Sequence, residues 1–385
     1  MQLPDYRGGG IVNLMASLQT GLGGAPHPYP PADLLSPEIV NAHRQVVLWV
    51  IDGLGFNYLR AHPQAACLNA HLAGGMTSVY PPTTASAITT FLTGDAPQQH
   101  GLTGWHMYFR ELGSVLSVLP GNPRFGGVGL ADAGIDVAAL LGHEPFANRI
   151  GVDAWTVSPV FIARSDFNVA HLGRSRLVSY RDLPDMMAQT ARIVREGSRK
   201  FVYAYWPELD SIGHREGIGS ERAASHLMEL DRAFERFLEK VRGTDTLVIV
   251  CADHGQIDTT AADRINLDDL PELADMLVLP LCGELRSAYC YLRTGYEDRF
   301  DAYINTELAG IARSLRATGL IDAGWFGLGE AHPRLAQRIG DRVLLMEKNY
   351  VIKDWLAQEK RYDLVGVHGG LSEDELRVPL IVATR

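Results

Sequence analysis

The sequence predicts an α/β fold, with a mostly parallel central sheet, helices on both of its faces and a smaller inserted subdomain. Continuous apolar runs rich in β-branched residues recur along the chain, and amphipathic helical patterns lie between them. This alternation is typical of a parallel sheet whose strands are buried on both faces. A chain of 385 residues is long for one domain, so an α/β domain with an insertion and a pair of domains both fit its length.

Four apolar runs predict the strands of the central sheet. The first, QVVLWVID at 45–52, is followed directly by glycine, which is a turn signal. KFVYAYW at 200–206 and TLVIVCAD at 246–253 have the same composition, and VPLIVAT at 378–384 is the fourth run. Runs without alternating polar residues favour strands that are covered on both sides.

The clearest helix is SERAASHLMELDRAFERFLEKVR at 220–242, for which Ser220 is the expected N-cap. Its apolar side chains recur at helical spacing and predict one buried face. They are Leu227, Leu230, Phe234 and Phe237.

Residues 258–360 differ in composition and predict the smaller subdomain. They contain LCGELRSAYCYLR, a helical pattern around 298–317, and DRVLLMEKNYVIKDW. Gly and Pro are scattered through 108–131, which predicts a long loop there. We therefore expect residues 1–385 to form a single domain with an inserted subdomain at 258–360.

Composition and charge narrow the classes of function. A net charge of −10 argues against binding to a nucleic-acid backbone, which requires basic patches. No apolar run is long enough to cross a membrane, and the first residues lack a secretory pattern. The four cysteines lie in apolar contexts without metal-ligand spacing, which predicts free thiols in a reducing, cytoplasmic compartment. The sequence does not determine the oligomeric state.

Acidic and histidine side chains follow three of the predicted strands. Because ligands bind beyond the carboxyl ends of parallel strands, these side chains are expected at one edge of the sheet. Oxygen and imidazole ligands without thiolates suit zinc or another divalent transition ion, and six ligands fit two open sites. The candidates are Asp52, Asp210, His214, Asp253, His254 and, before the last strand, His368.

Each candidate also has a purely structural interpretation. Asp52 before a glycine is often a turn residue, and His368 between Val367 and two glycines could be a satisfied loop histidine. Asp210 and His214 are four residues apart, so one helical turn would bring both to a shared ion. The pair Asp253-His254, directly after a run of apolar residues, is the strongest signal because burying such a pair is costly without a ligand.

The stretch SVYPPTTASAITTFLTG at 78–94 raises a further question. Thr83 and Thr84 follow Pro-Pro and precede a helical pattern, which is ordinary turn and capping chemistry. The alternative is that Thr84 is a nucleophile at a helix N-terminus, where free N–H groups and the helix dipole favour a phosphate. A divalent ion would activate its hydroxyl.

Five motifs in order resemble the type I phosphodiesterase/nucleotide pyrophosphatase family of the alkaline phosphatase superfamily. They are VLWVIDGLG, YPPTTASAITTFLTGDAPQQHGLTGW, YWPELDSIGHREG, CADHGQID and GVHGGLS, between about residues 45 and 381. The resemblance implies an alkaline-phosphatase-like sheet flanked by helices. It also implies hydrolysis of a small phosphate ester or nucleotide-like substrate.

The resemblance also implies two zinc ions and a nucleophile. One ion would be held by Asp52, Asp253, His254 and the oxygen of Thr84, and the other by the remaining three ligands. Those three ligands are Asp210, His214 and His368. Thr84 would attack phosphorus in line, form a phosphothreonine intermediate and expel the leaving group before hydrolysis.

The sequence departs from the family pattern around the substrate. The place of an asparagine that contacts the phosphoryl oxygens is taken by Trp105 or His106, which leaves the choice between monoester and diester open. An aromatic residue that usually follows the nucleophile is replaced by Ala85. Tyr205 matches a tyrosine that stacks on the base in relatives, although a tyrosine ending a strand is also a common packing residue.

Other functions stay open at this point. A phosphomonoesterase or a hydrolase of phosphonates such as phosphonoacetate would share the same dinuclear site. A phosphomutase would need basic residues near the motifs, such as Arg110, Arg215 or Arg286. A binding or regulatory protein without turnover would not need the complete set of ligands and nucleophile. A sulfatase is disfavoured because threonine stands where a modifiable Cys or Ser is required.

Overall fold

The computed structural model describes residues 2–357 and 359–385. Met1 and Gln358, which fall inside the predicted domain and subdomain ranges, lie outside the described residues. The predicted fold class is confirmed, because a mixed α/β fold is built around a central, mostly parallel sheet.

The strands lie in chain order along the described residues. They are β1 Gln45–Ile51, β2 Leu72–Thr77, β3 His106–Phe109, β4 Ser114–Ser117, β5 Asn122–Pro123, β6 Asp153–Pro159, β7 Arg176–Tyr180, β8 Lys200–Trp206, β9 Thr246–Cys251, β10 Ile257–Asp258, β11 Arg264–Asn266, β12 Cys282–Gly283, β13 Ser287–Cys290, β14 Ala312–Arg316, β15 Arg342–Met346, β16 Val351–Lys353, β17 Gly366–Val367 and β18 Arg377–Thr384.

The helices connect and cover these strands. They are α1 Ile11–Gly21, α2 Pro37–Asn41, α3 Phe56–Ala61, α4 Ala66–Ala70, α5 Thr84–Thr93, α6 Pro97–His100, α7 Val137–Leu141, α8 Phe146–Arg149, α9 Asp166–Ala170, α10 Leu183–Arg195, α11 Glu208–Glu216, α12 Glu221–Lys240, α13 Pro271–Ala274, α14 Glu297–Glu307, α15 Ala317–Asp322, α16 Leu335–Arg338 and α17 Glu373–Leu376.

The central sheet has the strand order β2-β18-β9-β1-β8-β6-β7. β9, β1, β8, β6 and β7 pair in parallel, and β18 runs antiparallel to both of its neighbours. Every residue of β1, β8 and β9 is buried, as their continuous apolar sequences predict. The four predicted strands are therefore all present.

Helices cover both faces of this sheet. Val46 pairs with Phe201 across β1 and β8, so these two side chains point to the same face, whereas Trp49 points to the other. Phe146 packs on Phe201 at a centroid distance of 5.4 Å, and Phe234 of α12 packs near Trp49 at 6.3 Å. The predicted helix α12 begins after Ser220, whose side chain accepts a hydrogen bond from the backbone of Ala223.

A second, antiparallel sheet has the order β14-β15-β13-β12-β3-β4-β5 within the described residues. It takes strands both from 282–346 and from 106–123, so the loop predicted for 108–131 is partly wrong. β3 and β4 form a hairpin of four-residue strands that joins β12 through Gly283 and His106. Strands this short leave too little periodicity to be distinguished from a loop in the sequence. The limits of the subdomain, 258–360, stay a prediction.

The helix predicted around 298–317 is too long. Helix α14 ends at Glu307, and residues 312–316 form β14 instead. Gly310, in the turn between them, has a φ of 74°, a left-handed conformation that glycine adopts without strain.

The helices of residues 2–357 and 359–385 include none with both the length and the apolar character of a membrane span.

Candidate active site

The three neighbouring strands β9, β1 and β8 place the predicted ligands at one edge of the central sheet. Asp52 follows β1 directly, and Asp253 lies just beyond the end of β9. Asp210 lies on α11, the helix that begins just after β8. Because the strands are parallel, their carboxyl ends meet, and side chains that are 43 to 201 residues apart in the sequence come together.

Thr84 is the first residue of α5, and Thr83 is its N-cap. The Thr84 hydroxyl lies 3.1 Å from Nε2 of His254, and its side chain is buried. In the described structure the Thr83 side chain makes no capping hydrogen bond, and its hydroxyl instead donates to Glu284 at 2.7 Å. Neither threonine therefore caps the helix through its side chain.

A first group of candidate ligands consists of Asp52, Asp253 and His254. Their ligand atoms lie within 4.8 Å of one another, and all three residues are buried. Nε2 of His254 is 3.4 Å from Oδ1 of Asp52 and 3.5 Å from Oδ2 of Asp253. The Thr84 hydroxyl lies beside this group through its contact with His254.

The two carboxylates of this group each have an unsatisfied oxygen. Oδ1 of Asp52 and Oδ2 of Asp253 are buried and have no hydrogen-bond partner among residues 2–357 and 359–385. Burial, together with the nearby Asp253 and Asp210 carboxylates, raises the pKa of Asp52 well above its usual value. Burial likewise raises the pKa of Asp253. A cation between the two oxygens would remove this cost, so the residues fit a divalent ion.

A second group forms around Asp210. Its Oδ2 lies 3.2 Å from Nε2 of His214, one turn further along α11, and its Oδ1 lies 3.9 Å from Nε2 of His368. The ligand atoms of Asp210, His254 and His368 lie within 4.8 Å of one another. His254 stacks on His368 with ring centroids 3.7 Å apart, so it lies between the two groups.

The three histidines are oriented in the same way. Nδ1 of each ring contacts a backbone carbonyl oxygen: Gly366 at 2.7 Å for His214, Gly255 at 3.0 Å for His254, and Pro82 at 3.2 Å for His368. A carbonyl only accepts, so each Nδ1 carries a proton, and in the neutral form of such a ring Nε2 offers a lone pair. Burial also lowers the pKa of His368 well below its usual value, which keeps the ring neutral. Such second contacts are typical of metal-ligating histidines.

Two further side chains orient the carboxylates. The Tyr205 hydroxyl donates a hydrogen bond to Asp52, and the side-chain amide of Gln256 donates to Asp210. The stacking role of Tyr205 stays a prediction. In the structure its hydroxyl contacts Asp52, one of the candidate metal ligands. Gln256 was missed, although it lies three residues after Asp253 in a motif that already pointed to this site.

A cavity of about 340 Å³ opens beside Thr84, with Asp210, His214 and His368 in its wall. Trp105 and His106 also line it, as their predicted contact with substrate requires. Nδ1 of His106 lies 3.2 Å from the Ser117 hydroxyl, and burial lowers the pKa of His106 to about 3. His106 is therefore neutral near pH 7 and can contact a phosphate only through hydrogen bonding.

The turn between β12 and β13 closes the site from the second sheet. Oε1 of Glu284 accepts hydrogen bonds from the Thr83 hydroxyl and, at 2.6 Å, from the backbone N–H of Trp105. The Ser287 hydroxyl donates to Gly369 at 2.6 Å, next to His368. The turn and the first residue of β13 thus contact both the segment of Thr83 and the loop that holds His368, a role that no local sequence signal indicated.

Arg286, in the same turn, does not face the substrate cavity. Its guanidinium is buried and forms a bidentate pair with Glu375. Glu375 also accepts the backbone N–H of Gly370 at 2.7 Å. Arg286 therefore stabilises the loop after His368 rather than offering a free charge to a substrate.

Known proteins share part of the sequence and the fold of this chain. Mouse ectonucleotide pyrophosphatase/phosphodiesterase family member 3 is 26% identical over 197 residues, which cover 49% of this chain but only 21% of that longer protein. Murine ectonucleotide pyrophosphatase/phosphodiesterase 5, solved in complex with AMP, shares the fold with a TM-score of 0.65 at 16% identity over 87% of each chain. Phosphonoacetate hydrolase from Sinorhizobium meliloti 1021, solved with phosphonoacetate, shares it with a TM-score of 0.62 at 20% identity, over 89% of this chain and 90% of the other.

The sequence pattern of one family extends over most of the chain. The type I phosphodiesterase/nucleotide pyrophosphatase pattern matches residues 46–371, which include every predicted ligand and Thr84. The chain therefore belongs to the type I phosphodiesterase/nucleotide pyrophosphatase family, a family of phosphoric ester hydrolases.

Proposed function

We propose that this protein is a metal-dependent phosphodiesterase of the nucleotide pyrophosphatase type, with Thr84 as its nucleophile. The observation that carries the proposal is the position of the Thr84 hydroxyl. It lies at the N-terminus of a helix, 3.1 Å from His254, beside two buried carboxylates that each have one oxygen without a hydrogen-bond partner in the described part of the chain.

The residues proposed to hold metal form two sets that share the same edge of the sheet. The first set is Asp52, Asp253, His254 and the Thr84 oxygen, and the second is Asp210, His214 and His368. When bound, two divalent ions supply Lewis-acid stabilisation of oxygen anions at neutral pH. Oxygen and imidazole donors without a thiolate favour zinc among the common transition ions.

The protein's own groups have two tasks in this reaction, which water then completes. Thr84 Oγ1 loses its proton to solvent and attacks phosphorus opposite the leaving oxygen, whose bond to phosphorus breaks as the leaving group departs. The product is a phosphothreonine, and for a diester its phosphoryl group still carries the retained ester arm. The N–H groups in the first turn of α5 bind the non-bridging phosphoryl oxygens, because they have no partner within the helix. Water then cleaves the new bond on the opposite side and restores Thr84.

The substrate class is the finer part of the proposal. One solved relative is described in complex with AMP and another with phosphonoacetate, so both nucleotides and phosphonates are reasonable candidates. Ala85 leaves no aromatic ring directly after the nucleophile. Because an aromatic residue for stacking on a base is missing there, hydrolysis of a phosphonate or a monoester is the second candidate function, with the same ligands and nucleophile.

We also propose that the protein works in a reducing, cytoplasmic compartment. Its cysteines are all free, and three of the four are buried in the structure. The substrate is expected to be a small molecule, and no nucleic-acid partner is expected.

Metal content and turnover of the wild type test the proposal. We expect about two zinc ions per chain and faster hydrolysis of bis(p-nitrophenyl) phosphate than of p-nitrophenyl phosphate. The reverse preference would favour the monoesterase candidate, and release of inorganic phosphate from phosphonoacetate would favour the phosphonate candidate. Absence of hydrolysis of all three compounds by the zinc-loaded protein would refute the proposed activity.

A further inference from the structure

Lys353 lies at the end of β16, in the wall of the same cavity that contains Thr84. It also lines a neighbouring cavity of about 220 Å³, and the two cavities share Leu285, Tyr362 and Leu364 in their walls. Lys353 therefore lies where the cavity beside Thr84 adjoins the second cavity.

The ammonium group of Lys353 is buried without a hydrogen-bond partner among residues 2–357 and 359–385. Its Nζ lies 3.9 Å from the ring centroid of Trp355 and 3.3 Å from that of Tyr362. These cation–π contacts stabilise the charge, but a ring face does not replace three hydrogen-bond acceptors.

The carboxylates near Lys353 form ion pairs with arginines instead. Arg124 lies 2.8 Å from Asp354 and 3.0 Å from Glu359. The charges of these two acids act to raise the pKa of Lys353, whereas the charge of Arg124 acts to lower it.

A third acid near Lys353, Asp363, is also paired, at 3.1 Å from Arg264. Burial is the dominant effect and lowers the pKa of Lys353 to about 8. The ammonium therefore stays mostly protonated at pH 7, with three unused donors.

The strand that carries Lys353 is hydrogen-bonded to the turn between β12 and β13. The backbone N–H of Ile352 donates to Leu285 at 3.0 Å, and Leu285 is next to Glu284, which holds Thr83. The backbone next to Lys353 is therefore joined to the turn that contacts Thr83, and Thr84 and Lys353 line one cavity.

We propose that Lys353 is the anion-binding residue of a substrate subsite, which receives a phosphate or carboxylate group carried on an arm of the substrate remote from the reacting phosphorus. The proposal rests on the proposed function, because it takes Thr84 as the reacting end of the cavity. An anionic oxygen would give the ammonium the acceptor it lacks, and a charge-assisted hydrogen bond of this kind contributes about tenfold to a hundredfold in affinity. Phosphoesters with a neutral second arm would not gain this interaction.

Binding to a protein that cannot turn over tests the subsite directly. Three p-nitrophenyl phosphodiesters with an ethyl, a carboxyethyl or a phosphoethyl second arm are titrated calorimetrically into zinc-loaded Thr84→Ala. We expect at least one of the two anionic arms to bind at least fivefold more tightly than the ethyl arm. The arm that gains identifies the group as carboxylate or phosphate. A smaller gain for both arms overturns the proposal and needs no further variant.

The same titration with Lys353→Met in the Thr84→Ala background assigns the gain to this residue. Methionine keeps the apolar stem against Trp355 and Tyr362, so the preference should fall to within twofold of unity. Lys360→Met is the matched control, because Lys360 is exposed in the same segment, and it should keep the preference. Retention of the preference in Lys353→Met would overturn the assignment.

Turnover of the ethyl ester by the wild type separates this inference from the proposed function. Hydrolysis without an anion preference would leave the function standing and refute the subsite. Absence of hydrolysis together with a Lys353-dependent preference in binding would refute the function and support the subsite.

Discussion

Replacing Arg286 by methionine tests how the second sheet stabilises the site. Its guanidinium contacts Glu375 through two hydrogen bonds of 3.0 Å, and the two side chains are only 2% and 0% exposed. Methionine would leave the Glu375 charge buried without its partner, which costs about 3–5 kcal/mol of the free energy of unfolding. For a chain of 385 residues, that loss corresponds to a fall in Tm of about 4–6 °C.

Thermal and denaturant unfolding measure the effect, and two further variants serve as controls. The double variant Arg286→Met with Glu375→Gln removes the unpaired charge and should recover more than half of the lost stability. Arg192→Met breaks an exposed helical pair with Glu196, at 54% and 48% exposure, and should cost less than about 0.5 kcal/mol. A loss below about 1 kcal/mol in Arg286→Met would refute the reasoning.

The remaining predictions concern the candidate metal ligands and the side chains that hydrogen-bond to the residues of the site. Dialysis against a chelator should lower Tm, because the buried carboxylates lose their counter-ion. Zinc at a hundred times its Kd should restore about 2.7 kcal/mol of the free energy of unfolding. A Tm that does not change when zinc is added would contradict the ligand assignment. Tyr205→Phe removes the donor to Asp52 and should weaken zinc binding about tenfold to a hundredfold in a competition titration. Tyr203→Phe is its control on the same strand, since that hydroxyl has no partner in the described residues; equal losses in both variants would mean that the hydroxyl of Tyr205 is not used. Glu284→Ala removes the acceptor for Thr83 and should lower kcat about tenfold with a smaller effect on KM, whereas a change in KM alone would indicate a substrate contact instead.

The central sheet could be predicted because its strands are buried on both faces. Residues 46–51 and 247–251 are apolar at every position because both faces of these strands are covered, so the sequence carries an uninterrupted signal. The second sheet was harder to predict from the sequence. Its hairpin at 106–117 has strands of four residues, and its β14 follows a helix after only four intervening residues. Its order is determined by pairing between distant segments, which local periodicity does not record.

The candidate ligands could be predicted because most of them follow apolar strand segments closely in the sequence. The contacts that orient them depend on distant residues: Glu284 reaches Thr83 across 201 positions in the sequence, and Arg286 reaches Glu375 across 89. The lack of a hydrogen-bond partner for Lys353 within the described residues is likewise invisible in the sequence, because it depends on the ion pairs that Arg124 forms with the carboxylates nearby. Tyr205 illustrates the same limit, since a strand-ending tyrosine can stack on a ligand or donate to a carboxylate.

Trapping the covalent intermediate tests the central claim most directly. The zinc-loaded wild type is mixed with bis(p-nitrophenyl) phosphate, quenched in acid within the first turnover and digested for mass spectrometry. The account predicts that one p-nitrophenyl phosphoryl group is attached to Thr84, that Thr84→Ala lacks it while retaining its zinc, and that Thr89→Val, altered on the same helix, still forms it. Steady turnover of the diester by Thr84→Ala, or a modification on another residue, would contradict the assignment of Thr84 as the nucleophile.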